Sequence, residues 1–199
     1  MPNFHRRSLA AALGILLLWL GACATPAPMP EYPPITFDQA SPLRLNVSDL
    51  EVELAYQAPG APPNVDHLFP VRIAEAAQRW PRERLEAAGT GFRARYVIRD
   101  ASAVAVPLEQ SGGVTGLVTQ ELSERYDAHV AVELGIFDSQ NRQVASARAE
   151  AVRSRSVPED ITLTERDQVW YEMATAIMAE LDKQLEMTIK TSLTPYLLP

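Results

Sequence analysis

Val130-Ala131-Val132-Glu133-Leu134-Gly135-Ile136 carries an apolar residue at every second position, Asp138-Ser139-Gln140-Asn141-Arg142 interrupts it, and Ala145-Ser146-Ala147-Arg148-Ala149-Glu150-Ala151 alternates again. Period-two spacing on both sides of a polar break predicts a β-hairpin whose loop is longer than a tight two-residue turn. The first arm puts Val130, Val132, Leu134 and Ile136 on one face. The second arm, predicted over Gln143–Val157, puts Ala145, Ala147, Ala149 and Ala151 on one face. An all-alanine face lets a helix pack unusually close, and a candidate follows at once. Thr162 with Glu165 has the spacing of a capping box. From there Trp170, Ala174, Ile177, Leu181, Leu185 and Thr188 mark one stripe of a helix that runs to about Lys190, roughly 40 Å long.

Upstream, Leu43, Leu45 and Val47 alternate, and Leu50, Val52, Leu54 and Tyr56 alternate in the opposite phase. One strand cannot show both sets on one face, so a bulge near Ser48-Asp49 is expected. Gln57–Pro70 holds four prolines and one glycine and reads as a loop. Val71–Ala88 reads as a helix with Ile73, Ala77, Trp80, Leu85 and Ala88 on one side, kinked or restarted at Pro81 and stopped by Gly89 and Gly91. Phe92, Ala94, Tyr96 and Ile98 predict a half-buried strand continuing to about Val106. Ser111-Gly112-Gly113 reads as a turn, and Leu117–Arg125 as either a short helix or an irregular lead-in. The order β-α-β-β-β-α defines an α+β fold: a four-stranded mixed or antiparallel sheet with two amphipathic helices on one face and solvent on the other.

The N-terminus differs from this body. Arg6 and Arg7 precede the apolar stretch Leu9–Ala22, which ends in small residues before Cys23, the chain's one cysteine. That is the layout of a secretory signal. Fourteen residues reach about 21 Å as a helix, short of the roughly 30 Å hydrocarbon core of a bilayer. Leu20-Gly21-Ala22-Cys23 resembles the lipobox of bacterial lipoproteins. The resemblance implies cleavage before Cys23, thioether-linked diacylglycerol on its sulfur and acylation (palmitate type) of its new amino group. Ala24 stands where family members retained at the inner membrane carry aspartate, which implies the outer membrane. A buried thiol is a competing reading of Cys23, but its Ala- and Pro-rich surroundings offer no core to sit in; the other is an incidental cysteine after an ordinary signal. The expected organisation is a signal peptide over 1–22, a lipidated proline-rich tether over 23–42 and a periplasm-facing domain over 43–199.

Charge excludes several classes. The chain carries 18 Lys+Arg against 25 Asp+Glu, and its first 22 residues hold two of the cations and none of the acids, leaving 16 against 25, or −9. A body this acidic is not built for nucleic acid or for adhesion to an anionic membrane surface. With Cys23 committed to lipid, no disulfide or thiolate–metal site is available. His67 and His129 come from unrelated segments without ligand spacing and read as exposed imidazoles, so no metal and no cofactor is expected. Hydrolase and nucleotide-binding motifs are absent from the sequence. Arg93, Arg95 and Arg99 are expected on the solvent face of their strand opposite Glu51 and Glu53, each pair worth at most about 1 kcal/mol.

The proline-rich loop contains Leu68 and Phe69, two apolar residues in a segment type that often carries binding function. They are either a partner-binding feature or a loop folded back on the core with Phe69 as its plug. Leu193–Pro199 is likewise either a strap on the domain or a docking peptide. The body, over 43–190, resembles in element order the ABC-transport auxiliary lipoproteins and the lipopolysaccharide-assembly lipoprotein. The helix around Arg79-Trp80-Pro81 and the hairpin around Asp138 are its best local features. The resemblance implies a non-catalytic accessory or binding subunit of an envelope transport or assembly complex. The alternatives are a structural envelope lipoprotein or a periplasmic hydrolase.

Overall fold

The hairpin predicted around Asp138–Arg142 is present in the structure, a computed structural model that describes residues 30–108 and 122–199. In chain order these residues form β1 (Leu43–Leu45), β2 (Asp49–Leu54), α1 (Ile73–Arg84), β3 (Leu85–Ala87), β4 (Arg93–Pro107), β5 (Leu122–Phe137), β6 (Gln143–Pro158) and α2 (Leu163–Ser192). A mixed four-stranded sheet has the order β2-β4-β5-β6, with β2 parallel to β4 and the other neighbours antiparallel. Both helices pack into one core on one face of it. The fold class is the one the spacing predicts. The signal segment, Cys23, the tether up to residue 29, the Ser111-Gly112-Gly113 turn and residues 117–121 lie outside the described residues.

β5 and β6 pair in register with Val132 opposite Ala149 and Leu134 opposite Ala147. The large residues of one strand thus flank the small residues of the next, and α2 lies over the alanines. Trp170, Met173, Ala174, Ile177, Met178, Leu181, Leu185 and Ile189 of α2 are buried there. Thr162 and Glu165 form the expected capping box, with the Glu165 amide donating to Thr162 Oγ1 and the Thr162 amide donating to Glu165 Oε2. Residues 122–125, ambiguous in the sequence, belong to β5.

Three expectations are corrected. The phase change at Ser48-Asp49 is not a bulge in one strand, because the chain changes sheets there. β1 pairs parallel with β3 in a separate two-stranded sheet, and β2 pairs with β4. Leu45 and Val47 are buried in the core, and Leu50 and Val52 pack half-buried against the same core, so each short run keeps its own phase from its own sheet. A real register shift occurs in β4 between Ile98 and Asp100. The extra residue there, Arg99, moves the inward set from Ala94, Tyr96 and Ile98 to Ala101 and Ala103.

The second correction concerns the first helix, which ends at Arg84. Pro81 stays within α1 without a restart, at the cost of the bond its missing N–H would make to the Ala77 carbonyl. Leu85–Ala87 then turn extended to pair with β1, and the Ala88 and Gly89 amides donate to the Leu45 and Val47 carbonyls, both at 2.9 Å. This pairing brings Gly89 so close to Asn46 that a Cβ would lie 2.6 Å from backbone atoms. Gly89 therefore serves a close approach of two chain segments rather than a helix stop. Third, the packed unit runs from Tyr32 to Pro199, with Ile35 and Phe37 buried in the core, so the stretch expected to be tether up to Pro42 contributes to the domain.

The two helices are joined by a polar clamp. The Arg84 side chain is 1% exposed. Its Nε donates to Asp182 Oδ1 at 2.9 Å, its Nη1 to the Ser41 carbonyl at 2.9 Å, and its Nη2 to Glu186. Trp80 Nε1 adds a bond to the same Asp182 oxygen at 2.7 Å. Removing one partner of such a buried set leaves the others unpaired. Arg84→Ala is expected to lower unfolding stability by about 3 kcal/mol, read by urea denaturation. Arg84→Lys is expected to recover only part of it, because one ammonium cannot reach the three acceptors that the guanidinium spans.

Candidate functional site

The proline-rich loop separates its two apolar residues. Asp66–Leu68 form a single 3-10 turn, closed by the Leu68 amide donating to the Val65 carbonyl at 2.9 Å. Phe69 is 4% exposed and stacks on Trp170 with ring centroids 5.4 Å apart. It is a core residue, the plug of a folded-back loop. Leu68 is 51% exposed and is the one of the pair with surface to offer. The loop is tied to β4 by the Val65 amide on the Ala103 carbonyl and the Ala105 amide on the Pro63 carbonyl, both at 2.8 Å. Tyr56 and Asp66 come together beneath it. Burial, then the Asp66 and Asp100 carboxylates, push the Tyr56 phenol well above its ordinary range.

The C-terminal segment is a strap. The Asn46 amide donates to the Tyr196 carbonyl at 2.7 Å, and the Leu198 amide to the Arg44 carbonyl at 2.8 Å. Tyr196 meets Phe92 edge-on at 5.0 Å, and Leu193 is fully buried.

The solvent face of the sheet carries paired charge. Glu51 stands directly opposite Arg95 across the β2–β4 ladder and accepts from its Nε at 2.9 Å. The centre of the face is Glu133, whose carboxylate accepts from Arg99 Nη2 at 3.0 Å, Arg148 Nη2 at 3.1 Å and Gln143 Nε2 at 3.2 Å. The Arg148 bond foremost holds the Glu133 carboxyl below its usual range, against the opposing effect of burial. The expectation of unengaged imidazoles fails at His129, whose Nδ1 lies 2.9 Å from Asp100 Oδ2 on the neighbouring strand. Burial pushes Asp100 up, and bonds from His129 and Ser102 outweigh it and leave the group lowered. His67, within the loop's 3-10 turn, is half-buried, and its Nδ1 has no hydrogen-bond partner among the described residues. Among the described residues no group of three or more His, Cys, Asp or Glu side chains is placed to hold a metal ion. No helix among them is long and apolar enough to cross a membrane.

The two long edges of the sheet differ. Beyond the end of β2, the free side of β4 is covered by the proline-rich loop, including an isolated bridge between Asn64 and Val104. β6 ends the sheet on the other side. A cavity of about 500 Å³ lies between it and α2, lined among others by Val152, Arg153, Ala176 and Glu180. Sequence patterning locates the faces of β6 but carries no signal for its place in the sheet order, so this edge was not foreseen. Arg84 and Glu133 were likewise missed, since a single charged residue inside a periodic pattern looks like any solvated position.

No family model and no curated protein matches the chain. Among solved structures it is similar to a Caulobacter crescentus protein described as a lipoprotein (10% identity, TM-score 0.38, covering 71% of this chain and 88% of that one). It is also similar to a minor lipoprotein from Acinetobacter baumannii (14% identity, TM-score 0.35, covering 76% and 96%). A third is a Xanthomonas campestris protein of the DUF330 family (12% identity, TM-score 0.30, covering 77% and 95%). At these scores the likenesses assign nothing to this chain.

Because the folded-state value of Glu133 is lowered, its ionised form stabilises the fold above the ordinary carboxylate pKa of about 4.3, and that contribution is lost as the pH falls through the lower folded value. Glu133→Gln is therefore expected to lose less stability than the parent chain on acidification from about pH 5 to about pH 2. Thermal unfolding followed across that range gives the comparison, and parallel pH profiles would contradict the assignment.

Proposed function

We propose that the chain is a lipoprotein of the bacterial envelope, anchored through lipid on Cys23, whose body is a non-catalytic accessory or binding subunit of an envelope transport or assembly complex. The single observation that carries the anchor is Leu20-Gly21-Ala22-Cys23 at the end of an apolar run preceded by Arg6 and Arg7. One acyl chain binds a membrane only marginally, whereas two or more hold a protein stably, so a diacylglyceryl, N-acylated Cys23 is sufficient as the sole anchor. Ala24 after the cysteine supports placement at the outer membrane. The binding role is supported by an exposed leucine, Leu68, on a tied-down loop.

Two experiments test the two halves of the reading. With Cys23→Ser in the full chain, expressed in a Gram-negative host, incorporation of radiolabelled palmitate is expected to vanish and the protein to leave the membrane fraction. Unchanged labelling would remove Cys23 from the role. For partner binding, Leu68→Ser is the clean probe, because Phe69 cannot be changed without disturbing the core. The variant is expected to keep its melting temperature within a few degrees and to lose cross-links to other envelope proteins in intact cells. Full retention of those cross-links would exclude Leu68 as the contact.

A further inference from the structure

The long free edge is the feature of this fold left unaccounted for. β6 pairs with β5 continuously from Ala145 to Val157 and with nothing on its other side among the described residues. An edge this long is a template for another strand, and proteins usually blunt such edges with prolines, lysines, bulges or covering loops. The opposite side of the sheet shows those devices: β2 is short and carries Asp49, Glu51 and Glu53, and the proline-rich loop caps the rest of β4. β6 has no lysine, its one proline is at its end, and its register shifts against β5 lie only at the two ends of the pairing. Small residues, Ser146, Ala147, Ala149 and Ala151, surround its middle and leave the backbone accessible.

The charges on this edge choose its occupant. Arg148 and Glu150 both project to the solvent face of the sheet, with side chains 72% and 77% exposed. They flank Ala149, so the run Arg148-Ala149-Glu150 is complementary to itself read antiparallel. We propose that β6 pairs antiparallel with β6 of a second copy, about a twofold axis at Ala149, joining two four-stranded sheets into one. In that register Arg148 stands opposite Glu150 of the second copy and Glu150 opposite its Arg148, on one face, as cross-strand neighbours must. Sliding by one pair in one direction sets Arg148 against Arg148, and in the other Glu150 against Glu150, so like-charge repulsion rejects both adjacent registers. At either end Ala145 meets Arg153 of the second copy, and the exposed Val152 meets its Ser146. The twofold makes the contact isologous and closed.

The full chain, purified in mild detergent, tests this by sedimentation. The parent chain is expected to be a dimer. Arg148→Glu alone places acid against acid at both symmetric contacts, and Glu150→Arg alone places base against base, so each is expected to weaken the dimer by about tenfold or more. Mixing the two single variants pairs opposite charges at both positions and is expected to give a heterodimer as tight as the parent, as is the double swap Arg148→Glu with Glu150→Arg. Arg148 also donates to Glu133 of its own chain at 3.1 Å, so thermal unfolding is followed for every variant, and Glu150→Arg, which leaves that bond in place, carries the test if Arg148→Glu is destabilised. A parent chain that stays monomeric at about 100 μM overturns the proposal. Single variants that dimerise like the parent, or a mixture that fails to recover, overturn it too. Cross-links from Val152 that capture only another envelope protein would give the edge to a different occupant and overturn the proposal as well.

Discussion

The contact between α2 and the alanines of β6 is the constraint on which the rest of the structure depends. Ala147, Ala149 and Ala151 are buried beneath a helix that itself buries eight residues. A methyl-sized side chain brings the helix closer to the strand than a leucine would. The space is then filled by the larger inward residues of β5, among them Val132, Leu134 and Ile136. Each fully buried side chain of this size contributes about 1.5–3 kcal/mol, and interiors are packed so closely that one added methylene is felt. The small face and the large face are therefore a matched pair. Enlarging an alanine would lift α2 and open the contacts of Trp170 with both Phe69 and Tyr126.

From α2 the constraint passes to the N-terminal half through polar groups. Arg84 closes α1 against Asp182 and Glu186 of α2 and reaches the Ser41 carbonyl. The chain leaving α1 enters β3 beside β1, and the C-terminal strap then lies along β1. The small two-stranded sheet is thus held by segments from the beginning, middle and end of the domain. Ile35 and Phe37 join the same core, which is why the domain begins earlier than its proline content suggests.

Legibility in the sequence followed the range of the signal. The hairpin, the capping box and the stripe of α2 are local patterns of period two or 3.6, and they were readable because the residues that state the pattern also form the contact. Leu43–Tyr56 was misread because its phase change has two physical causes with one appearance: a bulge, or a strand that leaves one sheet for another. Leu85 and Ala88 continue the helical stripe of Ile73 and Trp80, yet pairing with β1, a segment some forty residues away, overrides that local preference. Of the candidate contact residues, Leu68 and Phe69 are adjacent and similar in chemistry. Only the position of Trp170 decides which of them is inside. Glu133 reads as an ordinary solvent-face acid until the register places Arg99, Gln143 and Arg148 around it.

That register also bears on where this domain meets other molecules. Arg95, Arg99, Arg125 and His129 are each engaged by a carboxylate on the sheet face. A ligand with acidic groups would have to displace those bonds, losing about as much as it gained. A paired face of this kind keeps the sheet soluble and sets strand register more than it recruits a partner. Backbone groups at an open edge have no such internal competitor, since water is their alternative, and a pairing strand replaces water at many groups together. Contact through the β6 edge therefore meets less internal competition than contact through the arginines, although the arginines are the more conspicuous feature of the sequence.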